Sequence, residues 1–465
     1  MKKFAILLCL FLIPFSFSGC TANQTQGEST TTWDTIYDAY VYAFPLVLVD
    51  ATMTKMTNTV TATNTQAPVN QLFHSRNLAS AGDKDVVTLN TDTLYSQAFL
   101  DLSQTAMVFV MPQTDRFCSG EIMDAYSNAV KITGSGSDNP DQTAFLITGS
   151  DYSGEVPDGL TQVQMPTNTA WILCRVLSYG QDDLPNVYAI QGNMSLMPLT
   201  NYLSGESYVP AQGSYDENNN FIPIDHVMQM TPEEFFTAAN QLMVDNPPAK
   251  ADNAILEEIS TIGVGPGQTF DASIIDDEGA WTDMINNLPT SLLADSQSFM
   301  VQMNNWHFFG EPIAEFGTEY DYRALIALDG LAANPVSVAI YPNANTDSNG
   351  DTFDGNNNYV IHFDAGQLPP TEETGFWSIT AYDSSNFLID NPINRYSIND
   401  RSDLVYNADG SLDILLSTQE PSDASMVNNW LPISNDNFHL YLRIYLPQQS
   451  VFDGSWAAPT IEKAD

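Results

Sequence analysis

The spacing of apolar positions changes along the chain, and the changes divide it into segments. "TWDTIYDAYVYAFPLVLVDATMTKM" carries a broad apolar stripe at helical period, with Pro45 placed to kink or divide the helix. From about residue 85 the pattern becomes short runs rich in Val, Ile, Thr, Phe and Tyr: "DVVTLN", "LYSQAFLDLS", "AMVFVMP", "AFLITG" and "AWILCRVLSYG". Bounded by Gly, Pro, Asn and Asp, these predict antiparallel strands of a sandwich. Between 206 and 330 the pattern is helical again. Thr231-Pro232-Glu233-Glu234 reads as a capping box ahead of "FFTAANQLMV", followed by "AILEEISTIG", "AWTDMINNL" and "YDYRALIALDGLA". The last third returns to strands in "NNYVIHF", "FWSITAYD", "LDILLS" and "FHLYLRIYLP", and "LVYNADGSLDILL" predicts a hairpin with an Asp-Gly turn. The expected fold is mainly β with α: an Ig-like N-terminal β-sandwich over 33–205, a helical middle unit over 206–330 and a C-terminal β jelly roll over 331–465.

The first nineteen residues have the parts of a bacterial export signal: Lys2 and Lys3, a short apolar run, then small residues. Ser18-Gly19-Cys20 resembles a lipoprotein processing site, with Cys20 as the lipidated first residue of the mature chain. Residues 20–32 are polar and read as a tether, having nothing apolar to bury. By that resemblance the mature protein belongs at the outer membrane of a Gram-negative cell, held only by its lipid anchor. Simple release into the periplasm is the alternative.

Charge narrows the partners. Fourteen basic side chains stand against 57 acidic ones, a formal net charge of −43. Such a surface repels phosphate backbones, so no nucleic acid is expected. It favours neutral or cationic ligands and divalent metals, and it also suits a salty medium that screens acidic self-repulsion.

The long strings resemble a known pattern. "HSRNLAS", "VVTLNTDTLYSQAFLDLS", "DAYSNAVKITGS" and "PTNTAWILCRVLSYGQDDL" look like the domain of unknown function numbered 1254. "DGNNNYVIHFDAGQLPPTEETGFWSITAYD", "NPINRYSINDRSDLVYNADGSLDILL" and "NNWLPISNDNFHLYLRIYLP" look like its usual downstream partner, numbered 1214. The resemblance implies a β-sandwich, a helical insert and a jelly roll in an exported bacterial protein, and it carries no activity with it. Cys118 and Cys174 depart from the pattern, standing where an aromatic residue and a glycine are common. After removal of Cys9 with the signal and use of Cys20 for lipid, they are the remaining cysteines. An oxidising compartment permits a disulfide between them, worth roughly 4 kcal/mol in the chain-entropy model. Two buried thiols are the alternative.

All seven arginines lie in or beside the strings that carry the pattern: Arg76, Arg116, Arg175, Arg323, Arg395, Arg401 and Arg443. In so acidic a chain they are expected to be internal clamps, with Arg395 and Arg401 pinning a loop through Asp390, Asp400 or Asp403. The functional alternative is a pair of cations holding an anionic group. His74 with Arg76, Asn90 with Asp92, and Asp124 with Asn128 each sit two or four apart, and Tyr95 adds a donor nearby. Alternate residues share a strand face. A histidine near carboxylates is raw material for acid/base chemistry, against the alternative of a buried network that sets strand register. Trp377, Tyr382 and Tyr396 make a candidate aromatic platform for sugars, against core packing. "NANTDSNGDTFDG" places Asp347, Asn349 and Asp351 at calcium-loop spacing, but Asn356 stands where such a loop needs glutamate. A solvated turn is the alternative.

These features lead to two expectations. The first is an envelope lipoprotein that binds a neutral or cationic small molecule, such as a glycan, with no cofactor required beyond a calcium candidate. The second is an extracytoplasmic hydrolase with His74, Asp92 and Arg395 between the two β-units, and Arg76, Asn90, Tyr95, Asp124, Asn128 and Arg401 around them. Nothing in the pattern specifies an oligomeric state.

Overall fold

The computed structural model describes residues 32–84 and 87–464. The export signal, Cys20 and nearly all of the tether therefore lie outside the described residues. Thr32–Met56 form one helix, α1, which Pro45 does not divide. Burial surrounds it on most sides, and the helix continues past Pro45 despite the missing backbone bond. By length and hydropathy α1 passes the test for a membrane span, as a signal sequence near an N-terminus also does, but 72% of that window is buried inside the protein. It serves here as a core helix.

The first β-unit comprises β1 (Phe73–His74), β2 (Thr93–Asp101), β3 (Met107–Val110), β4 (Cys118–Asp124), β5 (Ala129–Gly134), β6 (Ala144–Thr148), β7 (Thr161–Gln164), β8 (Thr169–Leu177) and β9 (Ser195–Pro198). They form a five-stranded sheet in the order β1-β2-β8-β4-β5 and a four-stranded sheet in the order β7-β6-β3-β9. Most pairs are antiparallel; β6 and β7 run parallel. Period-2 alternation turns Leu94, Ala98, Ile122, Ile172 and Cys174 toward Met107, Phe109, Phe145 and Ile147 of the other sheet in one apolar core. Helix α2 (Leu184–Gly192) closes one side, and α3 (Leu199–Ser204) follows β9.

Helices α4 (Pro223–Met228), α5 (Pro232–Asp245), α6 (Asn253–Ile259), α7 (Glu278–Asp295) and α8 (Tyr320–Gly330) build the helical unit. The expected capping box at Thr231 and Glu234 is present on α5. Helix α1 packs mainly into this unit, where Tyr40, Phe44 and Leu46 share a core with Phe235, Phe236, Leu288 and Ala324, while Val49 further along it reaches the first unit's five-stranded sheet. An apolar surface wrapping a whole helix needs helices on several sides, and a single sheet face covers only one.

The second β-unit contains β10 (Met300–Met303), β11 (Trp306–Phe309), β12 (Ala339–Ile340), β13 (Asn343–Ala344), β14 (Asn358–Phe363), β15 (Thr371–Asp383), β16 (Ser397–Asn399), β17 (Leu412–Ser417), β18 (Trp430–Pro432), β19 (Phe438–Pro447) and β20 (Ile461–Ala464). One sheet runs β10-β11-β13-β19-β15-β16 with β12 also on β19, and a second runs β18-β17-β14-β20. Ile379, Leu440 and Leu442 meet Ile361, Ile414 and Leu416 across the core. Strands β10 and β11 thus come from the stretch expected to be helical. The expected Asp-Gly hairpin keeps its turn, with Gly410 N–H bonded to Asn407 O at 2.9 Å, but has only one strand arm. The Asn429 side chain binds both the N–H and the C=O of Val405, taking the groups a first arm would pair.

The chain is therefore a mixed α/β protein with several antiparallel sheets and a helical middle region, without barrel closure among the described residues. Backbones approach closely in the second unit, where a Cβ on Gly355 would lie 1.8 Å from the Ser434 carbonyl oxygen. Gly355→Ala should cost about 1–3 kcal/mol through the forced displacement, read as a lower urea midpoint with unchanged slope.

Candidate functional site

Residues 88–92, just ahead of β2, lie on the outward face of the second unit's larger sheet, and each makes a hydrogen bond to that unit. Thr88 N–H donates to Asn386 O at 2.8 Å, and Thr88 O accepts from Arg443 Nη2 at 2.9 Å. Leu89 O accepts from Tyr382 Oη at 2.7 Å, Asn90 Nδ2 donates to Tyr445 Oη at 2.6 Å, and Thr91 Oγ1 donates to Ser397 Oγ at 3.1 Å. Asp92, 2% exposed, accepts from Ser378 Oγ at 2.6 Å and from Arg401 Nη2 at 2.5 Å. The acceptors and donors on β15 and β19 share a face because Ser378, Thr380 and Tyr382 alternate with core residues on one strand, as Tyr441, Arg443 and Tyr445 do on the other.

Behind this clasp the outward face of the first unit's five-stranded sheet is apolar at both ends and polar in the middle. Phe117 and Leu177 pack on Val338, Phe376 and Tyr445 at one end; Phe99, Met123, Trp171 and Leu173 pack with Val49 at the other. Between them Arg175 Nη1 reaches Glu121 Oε2 at 3.1 Å and Asn334 Oδ1 at 2.8 Å, and Nη2 reaches Ala332 O at 2.8 Å. Asn334 Nδ2 donates to Tyr341 Oη at 2.7 Å. Burial outweighs the pull of Arg175 and raises the Glu121 carboxyl to about 7.

The three residues expected to form an acid/base centre are held apart. His74 Nδ1 pairs with Ser96 Oγ at 2.8 Å across the β1–β2 ladder. Burial, aided by Arg76, lowers its imidazole to about 4. Asp92 is committed to Arg401 and Ser378. Arg395 donates to the carbonyl oxygens of Val427 and Trp430, the latter at 2.9 Å, and so secures a loop with no carboxylate involved. Arg401 does pair with Asp400, as expected, but its buried partner is Asp92, a long-range contact that local spacing did not reveal.

The remaining candidates also have structural partners. Arg76 Nη1 donates to Gln191 Oε1 at 2.9 Å, and the Tyr95 ring lies 5.9 Å from the Arg175 guanidinium. Asp124 Oδ1 accepts from the backbone N–H groups of Tyr126 and Asn128 at 2.8 and 2.9 Å, which shapes the β4–β5 turn. Trp377 points into the core and Tyr382 toward the first unit, so strand alternation splits the proposed aromatic platform. Tyr396 is half-buried and bonds Asn394. In the calcium candidate, Asp347 Oδ1 accepts from the N–H groups of Asn349 and Asp351 at 2.8 and 3.1 Å, an arrangement that forms a turn. Among the described residues no group of three His, Cys, Asp or Glu side chains is placed to hold a metal. Cys118 and Cys174 are buried free thiols. The register sets Cys118 opposite Val176 and Cys174 opposite Gly120, a diagonal relation with wider Cβ spacing than a disulfide accepts.

Comparison with known proteins places these units. The profile of DUF1254, described as a protein of unknown function, matches residues 69–198, and that of DUF1214, described likewise, matches residues 338–449. The chain carries DUF1254 and DUF1214 in tandem. Its structure is similar to the crystal structure of the VPA0106 protein from Vibrio parahaemolyticus, at 21% identity and a TM-score of 0.68, covering 94% of this chain and 100% of that one. That likeness concerns the fold. A crystal structure of an uncharacterised protein from Burkholderia cenocepacia aligns at 11% identity and a TM-score of 0.42, over 92% of this chain and 88% of that one. No curated protein matches the chain.

Open concave space lies in the DUF1214 unit. One cavity of about 420 Å³ is lined by Asp354, Asn356, Ser384, Asn435, Asp436 and Asn437. A second, of about 470 Å³, shares Asn435 and Asp436 and continues along Asp383, Ile389, Asp390, Asn391, Pro392, Thr418, Gln419, Pro432, Ile433 and Ser434. Neither is lined by His74, Asp92 or Arg395, and neither lining includes Lys, Arg or His. Asp390 is expected from sequence only as a clamp for the arginine loop and Asn356 only as the mismatched end of the calcium candidate; the other lining residues read as ordinary turns. The available signal was the density of Asn and Asp in "NPIN" and "PISNDN", which brackets two loops that meet only in the fold.

Two measurements check the geometry. Asp92→Ala leaves Arg401 without its buried carboxylate and should cost about 3–5 kcal/mol in urea unfolding. His74 has a lowered folded pKa, so as pH falls the unfolded chain binds the proton first. Stability should therefore decline as pH drops from about 6.5 toward about 4, and His74→Phe should flatten part of that slope. An imidazole NMR titration placing His74 near 6.5 would contradict its burial.

Proposed function

We propose that the protein is an exported envelope lipoprotein that binds a neutral or cationic polar ligand, such as a glycan, in the cleft of the DUF1214 unit. The observation that carries this reading is the pair of adjoining cavities whose lining combines four aspartates with amides and hydroxyls and has no basic group. Such a lining repels phosphates and carboxylates. It offers donors and acceptors at many positions, as a polyol or glycan requires, and negative charge for an amine. The overall charge of −43 acts in the same direction over a longer range. The signal-like residues 1–19 and Cys20 support export and anchoring at the outer membrane, with the periplasm as the alternative address. The two facing sheet pairs are read as an Ig-like sandwich and a jelly roll that present the cleft on the second unit's loops.

The alternative of a hydrolase centred on His74, Asp92 and Arg395 draws no support from the geometry, since each side chain is engaged elsewhere. No cofactor enters this reading. A calcium ion at Asp347, Asn349 and Asp351 would compete with the backbone N–H groups already on Asp347 Oδ1.

Asp390 and Asp436 are exposed in the cleft and suited to test it. Calorimetric titration with neutral oligosaccharides and, separately, with spermidine should give binding to one class. The Asp390→Asn/Asp436→Asn double variant should weaken an amine by about tenfold or more, near 1.4 kcal/mol, while leaving the melting temperature unchanged. Absence of binding by both probe classes to the unaltered protein would refute the reading.

A further inference from the structure

Ser119 and Glu121 alternate along β4 onto the face that meets the DUF1214 unit, and each is 1% exposed. Across the ladder Ser119 stands opposite Arg175, whose Nη1 binds Glu121 Oε2 at 3.1 Å. The other carboxylate oxygen, Glu121 Oε1, and the hydroxyl of Ser119 have no protein partner. A buried polar atom without a hydrogen bond is costly, and folded proteins satisfy such atoms with ordered water. Two residues apart, the side chains leave one strand face from Cα atoms separated by roughly 6.6 Å of rise, and the longer glutamate can reach back toward a small molecule held on Ser119 Oγ.

We propose that the interface between the two β-units encloses a binding site for a small neutral hydrogen-bonding guest, water, bridging Ser119 Oγ and Glu121 Oε1 beside Arg175. The local charge selects the guest. Arg175 and Glu121 already face each other, so an added ion would be buried without a counter-charge, whereas a neutral dipole needs none. Apolar contacts of Phe117 and Leu177 on one side and of Met123 and Leu173 on the other close the site from bulk solvent. The Asn334 amide, bonded to both Arg175 and Tyr341, holds the guanidinium in place. The guest completes the carboxylate's hydrogen bonding in the seam, where the protein offers it only one arginine.

The sign of a stability change decides between a bridged and an unpartnered hydroxyl. If water bridges the two groups, Ser119→Ala in the full mature chain should lower the melting temperature by about 2 °C. A rise, or no change, overturns the proposal, because deleting an unpartnered buried hydroxyl relieves a cost. Independently, crystallographic density at about 1.6 Å resolution should show a peak within about 2.7–3.1 Å of both oxygens. A direct Ser119–Glu121 hydrogen bond, or no peak at that place, overturns it as well.

Discussion

The Asp92–Arg401 pair, with the clasp it anchors, is the constraint on which the arrangement of the two β-units depends. A carboxylate from the first unit and a guanidinium from the second meet at 2.5 Å with Asp92 almost fully buried, and Ser378 satisfies the other carboxylate oxygen. Removing two charges from water is repaid only when geometry and further hydrogen bonds are good. Here four preceding residues add such bonds from backbone and side chains, so the units are joined through a continuous segment. The apolar patches around Phe117 and Trp171 supply burial on either side of the polar seam, while the seam fixes which atoms face each other.

The same economy explains how an acidic chain uses its scarce cations. Arg116 binds Asp183, Arg175 binds Glu121, and Arg443 binds Thr380, Thr88 and Tyr382. Arg323 sits among the rings of Tyr42, Tyr126 and Tyr320 at 5.3 to 5.4 Å. A planar guanidinium that stays charged and offers several donors can hold carbonyls, carboxylates and tyrosines together inside a fold. Its use there leaves the cleft of the DUF1214 unit without a basic lining residue. The cleft lining is thus acidic and polar because the positive charge sits inside the fold.

Much of the fold was legible because its elements follow simple periods. The alternating runs became β2, β8, β15 and β19, and the Thr231 capping box started α5 where expected. The helix α1 was legible as a helix, but its association with α5 and α7 was not, since an all-round apolar surface does not specify its neighbours. Much less of the site was legible. His74, Asp92 and Arg395 are chemically suitable for catalysis, and each is nevertheless engaged by a partner that spacing could not reveal, including one 309 positions away. The cleft is illegible for the converse reason: its Asn and Asp residues have the composition of turns, and only the approach of three separate segments makes them a lining.

Local sequence alone determined the periods of strand and helix and the negative surface, because dihedral preference, side-chain alternation and net charge are properties of neighbours or of sums. Tertiary structure decided which face of β4 meets which face of β19, that Cys118 and Cys174 stand diagonally as thiols, and where a concave surface opens. Those outcomes depend on the register and packing of segments hundreds of residues apart, where a one-residue shift would exchange core for surface.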